Sequence, residues 1–273
     1  DPAPIVATPD PYSVPNGATG SPNAGNVLSN DTVNGITPPT VGPTGNATLA
    51  VTTPATPLTP GAPVPVLDPT TGQVSVPPGT PAGVYPITYK LCEKLNPTNC
   101  ATTTATITVG AAPVVATNDP LPVANGATGN PSAGSAFTGD TINGAAATTT
   151  NATLAVVTPA TSIGGAPVPT LDIATGIVSV PAGTPAGSYS IVYKLCEKLN
   201  PTNCQNATIT VPVDPAPIVA TNDTYTGING ATGNPTAGNA LSNDTVNGSP
   251  ATVGATGNAT LAVNTPATSI GGG

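Results

Sequence analysis

Tyr85-Pro-Ile-Thr-Tyr-Lys-Leu-Cys-Glu-Lys-Leu-Asn-Pro-Thr-Asn-Cys100 is the stretch that decides the fold, and it returns with two substitutions as residues 189–204. Before the first cysteine every second residue is apolar or aromatic, as a strand with one buried face requires. After Cys100 the alternation resumes and runs to Val109, with threonines at the outward positions. The two runs predict an antiparallel hairpin closed by a seven-residue loop, residues 93–99.

All four cysteines lie in this stretch and its repeat. The alternation places Cys92 and Cys100 on the same outer face of one hairpin, and Cys196 and Cys204 repeat that placement. We therefore predict the disulfides Cys92–Cys100 and Cys196–Cys204, each contributing about 2.5 kcal/mol. A zinc site is the alternative, but two C-x7-C pairs about a hundred residues apart, in a chain without histidine, do not make a zinc set. Disulfides indicate an oxidising compartment, hence a secreted or cell-surface protein.

Composition and charge exclude several classes of function. Proline (36) and glycine (31) make up about a quarter of the 273 residues, and 38% of the residues are hydrophobic. Because the apolar residues alternate in short runs, many strands joined by tight turns are favoured over disorder. The net charge of −8, with only 4 lysines, offers no basic patch for nucleic acid. No apolar run of the sequence is long enough to span a membrane.

Internal repetition sets the organisation of the chain. The opening Ile5-Val-Ala-Thr8 recurs as Val114-Val-Ala-Thr117 and Ile218-Val-Ala-Thr221. We predict a first copy over residues 1–110, a second over 111–213, and the N-terminal half of a third over 214–273. Only the first two copies contain the cysteine hairpin. A half-sandwich of about 60 residues buries too little apolar surface to be stable alone, so we expect the polypeptide to continue beyond Gly273 with further repeats.

The strand pattern of each complete copy predicts the fold class. Short strand candidates in the first copy, separated by turn signals, fall at 4–8, 10–14, 25–29, 47–53, 63–67, 73–77, 84–92 and 100–109. Six Asn-Gly dipeptides favour hairpin turns with a left-handed backbone. We therefore predict an all-β chain of tandem antiparallel immunoglobulin-like β-sandwich repeats of about 105 residues.

Three motifs carry a resemblance to a known family: Ala220–Tyr225, Asn26–Asp31, and Leu67–Val76 leading into Gly-x-Tyr-x-Ile-x-Tyr. Together they resemble the tandem immunoglobulin-like and cadherin-like repeats of giant bacterial surface proteins, the adhesins and fibrillar proteins. The resemblance implies a sandwich fold and a place at the cell surface. Separately, the Gly83-Val-Tyr85 and Gly187-Ser-Tyr189 steps resemble the tyrosine corner of immunoglobulin-like sandwiches, although Tyr85 and Tyr189 fit equally well as core.

Catalysis is not expected. A chain without histidine has no Ser-His-Asp or Cys-His pair, and the cysteines are committed to the bridges, so we predict that the protein is not an enzyme. Calcium is the candidate cofactor, because proteins of the resembled class often hold it at domain junctions and oxygen ligands suit it. The candidate ligands are aspartates that recur in each copy, Asp10, Asp31, Asp119, Asp140, Asp223 and Asp244. Ordinary turn chemistry is the alternative for these residues.

The remaining candidate site is a glycan attachment point. Among the Asn-x-Thr sequons only Asn206, on the outward face of its strand, is positioned for a glycan. The expected function is that of a structural stalk or fibre segment of an extracellular bacterial surface protein, which serves adhesion or filament assembly. Its expected partners are other copies of itself or neighbouring repeats. The alternative is an adhesin module that binds host or environmental glycans or proteins.

Overall fold

The structure is a computed structural model that describes residues 2–270. Every regular element within that range is a β-strand, so the predicted all-β class is confirmed. No helix that could cross a membrane occurs between residues 2 and 270.

The first copy consists of two facing sheets and a third sheet of only two short strands. Its strands are β1 (Ile5–Val6), β2 (Asp10–Val14), β3 (Ser21–Asn26), β4 (Thr32–Val33), β5 (Ala47–Thr53), β6 (Val66–Leu67), β7 (Gln73–Val76), β8 (Gly83–Glu93) and β9 (Cys100–Val109). One sheet has the order β2-β9-β8-β5, the other has the order β3-β7-β6, and β1 pairs with β4.

The second copy repeats this arrangement. Its strands are β10 (Val114–Val115), β11 (Asp119–Pro120), β12 (Ala124–Asn125), β13 (Asn130–Ser135), β14 (Thr141–Ile142), β15 (Ala145–Ala146), β16 (Ala152–Thr158), β17 (Thr170–Leu171), β18 (Ile177–Val180), β19 (Gly187–Glu197) and β20 (Cys204–Asp214). The large sheet has the order β11-β20-β19-β16, with β12 also on β20, and the others are β13-β18-β17 and β10-β14-β15.

The third copy forms one small antiparallel sheet within its described residues. Its strands are β21 (Ile218–Val219), β22 (Thr245–Val246) and β23 (Ser249–Pro250). The order β21-β22-β23 corresponds to β10-β14-β15 of the second copy. The boundaries between the copies stay a prediction.

The two strands of the cysteine hairpin are the central strands of each large sheet. Strands β8 and β9 pair in antiparallel register from Gly83↔Val109 to Cys92↔Cys100, and the structure joins Cys92 to Cys100 and Cys196 to Cys204. Cys92 lies opposite the exposed Thr48 of β5 and opposite Cys100 of β9, on the face that the alternation predicted. It is nevertheless buried, because β8 is a central strand with a neighbour on each side.

The strand that follows the opening strand of each complete copy runs parallel to its neighbour in the large sheet. Strand β2 pairs with β9 from Asp10↔Ala105 to Val14↔Val109, and β11 and β12 pair with β20 in the same sense. All other strand pairs among residues 2–270 are antiparallel. The parallel strands β2 and β11 begin with Asp10 and Asp119, and both aspartates are buried inside the sandwich.

The core is built from the inward side chains of the long strands. Tyr85, Ile87, Tyr89 and Leu91 are each at most 1% exposed. The hydroxyls of Tyr85 and Tyr189 donate to the carbonyl oxygens of Pro81 and Pro185, both at 2.8 Å. These two tyrosines are therefore both core residues and tyrosine corners.

The Asn-Gly dipeptides form two kinds of turn. Asn34, Asn143 and Asn247 have φ between 54° and 55°, with positive φ at the following glycine, as a type I′ hairpin turn requires. In the other three dipeptides the asparagine Oδ1 accepts the backbone N–H two residues further on, at 2.9 Å. Only half of the dipeptides thus form the predicted hairpin turns.

Candidate functional site: an aspartate pair under one tyrosine

Three separate elements of the first copy bring polar side chains together inside the sandwich. Asp10 is the first residue of β2, Asp31 directly precedes β4, and Tyr89 lies in the middle of β8. All three are buried, with exposed fractions of 3%, 0% and 0%. The predicted acidic residues are therefore neighbours, but in the core of the copy.

The tyrosine hydroxyl lies at the centre of this group. Its oxygen is 2.8 Å from Asp10 Oδ2 and 3.0 Å from Asp31 Oδ2. The carbonyl oxygens of Thr8 and Val27 are 3.4 and 3.3 Å away. The second oxygen of Asp31 accepts the backbone N–H of Thr8 at 2.7 Å.

The geometry favours a second proton between Tyr89 and the two carboxyl groups. A tyrosine hydroxyl carries one proton and donates it to one acceptor at a time. With two carboxyl oxygens at hydrogen-bond distance, one carboxyl must be a neutral acid that donates to the tyrosine oxygen, or must face that oxygen unpaired. Two buried carboxylates that share one donor also repel each other and thereby raise the pKa of Asp10, so the arrangement favours one neutral and one ionised aspartate.

The pKa shifts agree with that division. Burial raises the pKa of Asp10 to about 6, and the charge of Asp31 adds to the rise while the Tyr89 hydrogen bond opposes it. Burial also raises the pKa of Asp31, against the Thr8 and Tyr89 hydrogen bonds. Burial, followed by the bond to Asp10, raises the pKa of Tyr89 well above its ordinary value of 10.0, so the tyrosine keeps its proton.

The second copy contains the same group. The Tyr193 hydroxyl lies 2.8 Å from Asp140 Oδ2 and 3.0 Å from Asp119 Oδ2. Asp140 Oδ1 accepts the backbone N–H of Thr117 at 2.7 Å. Burial raises the pKa of Asp119 to about 6, with the Tyr193 hydrogen bond opposing it.

One donor distinguishes the two copies. In the first copy the Tyr12 hydroxyl donates to Asp10 Oδ1 at 3.2 Å. Leu121 stands at the corresponding position of the second copy, and Asp119 Oδ1 is buried without a hydrogen-bond partner. A neutral carboxyl tolerates this better than an ionised one, in agreement with the raised pKa of Asp119.

The third copy has the aspartates without the tyrosine. Asp223 and Asp244 are half-buried, and the backbone N–H of Thr221 donates to Asp244 Oδ1 at 2.7 Å. Burial, together with the charges of Asp223 and Asp244, raises the pKa of Tyr225. No strand among residues 214–270 corresponds to the one that supplies Tyr89 or Tyr193.

Calcium was the predicted cofactor of these aspartates. The oxygens around Tyr89 are of the kind calcium takes, but the tyrosine hydroxyl occupies the position between them. Among residues 2–270 no three histidine, cysteine, aspartate or glutamate side chains come together as a metal cluster. The Asp10–Asp31 pair therefore does not fit a calcium ion while the Tyr89 hydroxyl lies between the two carboxyl groups. Calcium binding elsewhere on this chain, or in another arrangement of these residues, stays a prediction.

The other predicted site residue lies at the surface. Asn206 is exposed on β20, opposite Lys194 of β19. Its side chain is accessible, and glycan attachment there stays a prediction, as does the absence of enzymatic activity.

Sequence reasoning missed the tyrosines as partners of the aspartates. Alternation had already placed Tyr89 and Tyr193 inward, and a buried tyrosine hydroxyl needs a hydrogen-bond partner. In a chain with few polar side chains in its strands, the recurring aspartates were the available acceptors. That requirement is the signal that could have linked them.

Comparisons with known proteins add little. No protein-family model and no curated protein matches the sequence. Among solved structures, protocadherin gamma B2 domains 3–6 (10% identity, TM-score 0.30) overlaps 78% of this chain and 51% of its own. Mouse cadherin-23 EC22–24 (11%, TM-score 0.30) overlaps 78% and 65%. A SusE-like surface-located polysaccharide-binding protein of Bacteroides thetaiotaomicron (13%, TM-score 0.26) overlaps 78% and 34%. The chain thus spans about half to two thirds of the first two structures, and at these TM-scores no argument rests on them.

Proposed function

We propose that this chain is a structural stalk or fibre segment of a repetitive bacterial surface protein, exposed outside the cell, in which consecutive copies are fixed end to end. The observation that carries the proposal is a direct hydrogen-bonded joint between the first and second copies. The two disulfides support an oxidising, extracellular location.

The joint is centred on one asparagine of the second cysteine hairpin. Asn200 Oδ1 accepts the backbone N–H of Ala82 at 2.7 Å, and its Nδ2 donates to Glu197 Oε1 at 2.8 Å. Asn200 is only 8% exposed and Glu197 only 2%. The loop of the second copy is thereby tied to a turn of the first.

A second contact lies beside it. Ala18 of the first copy packs against the core of the second, and Asn16 Nδ2 donates to Asn143 Oδ1. The same asparagine contact recurs further along the chain, where Asn125 Nδ2 donates to Asn247 Oδ1 at 2.9 Å. A recurring contact favours a regular rather than a random orientation of successive copies.

The loop of the first cysteine hairpin is exposed at the positions where the loop of the second is covered by its neighbouring copy, so the two loops can be compared. Leu95 is 88% exposed, whereas Leu199, its counterpart in the joint, is half-buried. Asn96 is exposed where Asn200 is buried. The short connection ending at Pro113 adds stiffness. The alternative function, a module that binds glycans or proteins, stays a prediction.

Small-angle X-ray scattering of the full chain tests the stalk. We expect an elongated particle, and we expect Asn200→Ala to broaden the distance distribution because the tie to Ala82 is lost. Asn96→Ala is the matched control, since Asn96 occupies the same loop position without a neighbouring copy. A compact wild-type particle, or equal effects of the two substitutions, would contradict the proposal.

A further inference from the structure

One edge of each large sheet lacks the protection that the other long edge strands have. Strands β5 and β16 are edge strands, and each pairs with one neighbour only. Among residues 2–270, every other edge strand longer than two residues contains a proline. These prolines are Pro11 in β2, Pro22 in β3 and Pro131 in β13. A proline or a charged side chain discourages pairing with another chain, and β5 and β16 contain neither.

The open edge of β5 presents main-chain groups from alternate residues. The backbone N–H of Lys94 donates to the carbonyl oxygen of Asn46 at 3.1 Å, across the pairing of β8 with β5. Bonded residues alternate along an antiparallel pair, so the even-numbered residues of β5 direct their main-chain groups toward β8. Leu49 and Val51 therefore direct their N–H and C=O groups toward the open edge.

The second copy repeats this pattern, and a bulge limits the edge in both copies. The backbone N–H of Lys198 donates to the carbonyl oxygen of Asn151 at 2.9 Å, so Leu154 and Val156 face the open edge of β16. The register of β5 on β8 shifts after Val51, and that of β16 on β19 shifts after Val156. The regular part of each edge is therefore the same sequence, Ala-Thr-Leu-Ala-Val.

The segments that contain these edges are almost without charge. The chain has a net charge of −8, yet Asp68 is the only charged residue between Thr32 and Tyr89. In the second copy, Asp172 is the only charged residue between Thr141 and Tyr193. Two acidic molecules of this chain therefore repel each other least where these segments meet.

An apolar opening lies beside β5. The two sheets of the first copy leave a cavity of about 250 Å³ between β5 and β6. Its lining consists of prolines and aliphatic side chains, among them Val51 of β5 and Val66 of β6. Val66 is 51% exposed. A strand added to β5 would continue the large sheet past this opening and cover apolar surface there.

We propose that the β5 edge pairs with the β5 edge of a second molecule of this chain, antiparallel around a two-fold axis at Ala50, and that the β16 edges pair likewise around Ala155. The outward main-chain groups select this register, because Leu49 of each molecule then exchanges hydrogen bonds with Val51 of the other, about four bonds in all. The edge is complementary to itself, as a two-fold contact requires.

A second molecule of this chain is the occupant that the edge selects. The edge matches its own register, it carries no charge that would attract a charged strand, and it occurs in both complete copies. Two such contacts on one chain reinforce each other. The contact is lateral and does not depend on the end-to-end joint of the stalk proposal, so either proposal can fail without the other.

A cysteine at the proposed axis tests the register. The two Ala50 residues face each other there as a non-hydrogen-bonded pair, with Cα atoms about 4.5 Å apart, which a disulfide can span. We expect Ala50→Cys, oxidised with glutathione disulfide, to give roughly tenfold more covalent dimer than Thr52→Cys. Thr52 is also exposed on β5, but its two copies lie about 13 Å apart in this register.

Sedimentation of the full chain tests the association itself. We expect the apparent mass to rise with concentration above the 26.1 kDa of one chain. Ala50→Glu combined with Ala155→Glu should raise the dissociation constant at least roughly tenfold, because like charges directly opposite each other across the axis repel. Hydrogen exchange of β8 and β19 should stay unchanged, which shows that both copies remain folded.

Thr102→Glu combined with Asn206→Glu is the matched control. In the first copy Lys90 lies between Ala50 and Thr102, and in the second copy Lys194 has the same place beside Asn206. Both double variants add the same charge beside the same lysines, but the control adds it away from the edge. Equal weakening by the two double variants, or association without the cross-link at residue 50, overturns the proposed contact. A chain that stays monomeric overturns the proposed occupant.

Discussion

The first and second copies hold the same buried aspartate pair under the same tyrosine, yet they differ in how many donors the pair receives. Asp10 keeps a bond from Tyr12, whereas Asp119 faces Leu121 and has one oxygen without a partner. Both are almost fully buried. The difference teaches that the tyrosine of the long strand is the common requirement and that the outer donor is optional. Below a pH of about 6, a proton on Asp119 compensates for the missing donor.

The largest effect is expected when the central hydroxyl is removed. Tyr193→Phe leaves Asp119 and Asp140 without their shared donor, and we expect a loss of about 3 kcal/mol in the free energy of unfolding of the second copy. Tyr89→Phe should cost the first copy less, about 2 kcal/mol, because Asp10 retains Tyr12. Hydrogen exchange of β19 and β8 reports each copy separately.

Tyr85→Phe is the matched control for this comparison. It removes a hydroxyl that bonds only the Pro81 carbonyl, so a loss of about 1 kcal/mol is expected. If Tyr89→Phe costs no more than Tyr85→Phe, the aspartate pair does not depend on the tyrosine.

The next effect is a dependence on pH. The pKa of Asp10 and that of Asp119 rise from 3.8 to about 6 on folding. The folded state therefore holds the proton more tightly, and this contribution to stability is fully present below pH 3.8 and is lost as the pH rises through about 6. We expect a loss on the order of 2 kcal/mol per copy, measured by urea unfolding across that range.

Substitution of the aspartate separates this effect from other titrations. Asp119→Asn carries no titrating proton, so the second copy should lose its share of the pH dependence. Asp172→Asn is the control in the same copy, because the Thr175 hydroxyl lowers the pKa of that exposed aspartate. A stability that rises with pH through 6 in the wild-type chain would contradict the shared-proton arrangement.

The smallest effect comes from exchanging the outer donor. Tyr12→Leu should cost the first copy about 1 kcal/mol, since Asp10 loses one hydrogen bond. Leu121→Tyr should give the second copy a gain of the same order where the hydroxyl reaches Asp119 Oδ1. Hydrogen exchange of β8 and β19 measures both. A loss of stability in the first copy with a gain in the second would support the role of the outer donor, whereas a loss in both copies would contradict it.

Much of the fold followed from the sequence because two of its signals are strong. Alternation around residues 85–109 gave β8 and β9 almost to the residue, and the predicted strand at 47–53 matches β5. The cysteine spacing gave the bridges seen in the structure. These elements are long and have one buried face, which is the condition under which alternation is informative.

The errors fall where that condition fails. The strand expected at 25–29 is β3, residues 21–26, because Val27 and Leu28 are buried in a turn that follows the strand. Strand β4, only two residues long, left no alternation to detect. The aspartate site was missed as a unit because its three members are far apart in sequence, and no local pattern joins Asp10 and Asp31 to Tyr89.

The parallel pairing of β2 with β9 determines how a copy bears mechanical load. When the two ends of the copy are pulled apart, the force enters at the N-terminal end of β2 and leaves at the C-terminal end of β9. The strands are then pulled past one another along their length, so all five register pairs from Asp10↔Ala105 to Val14↔Val109 resist together. In the second copy the same edge is divided between β11 and β12. That copy should therefore yield first under tension.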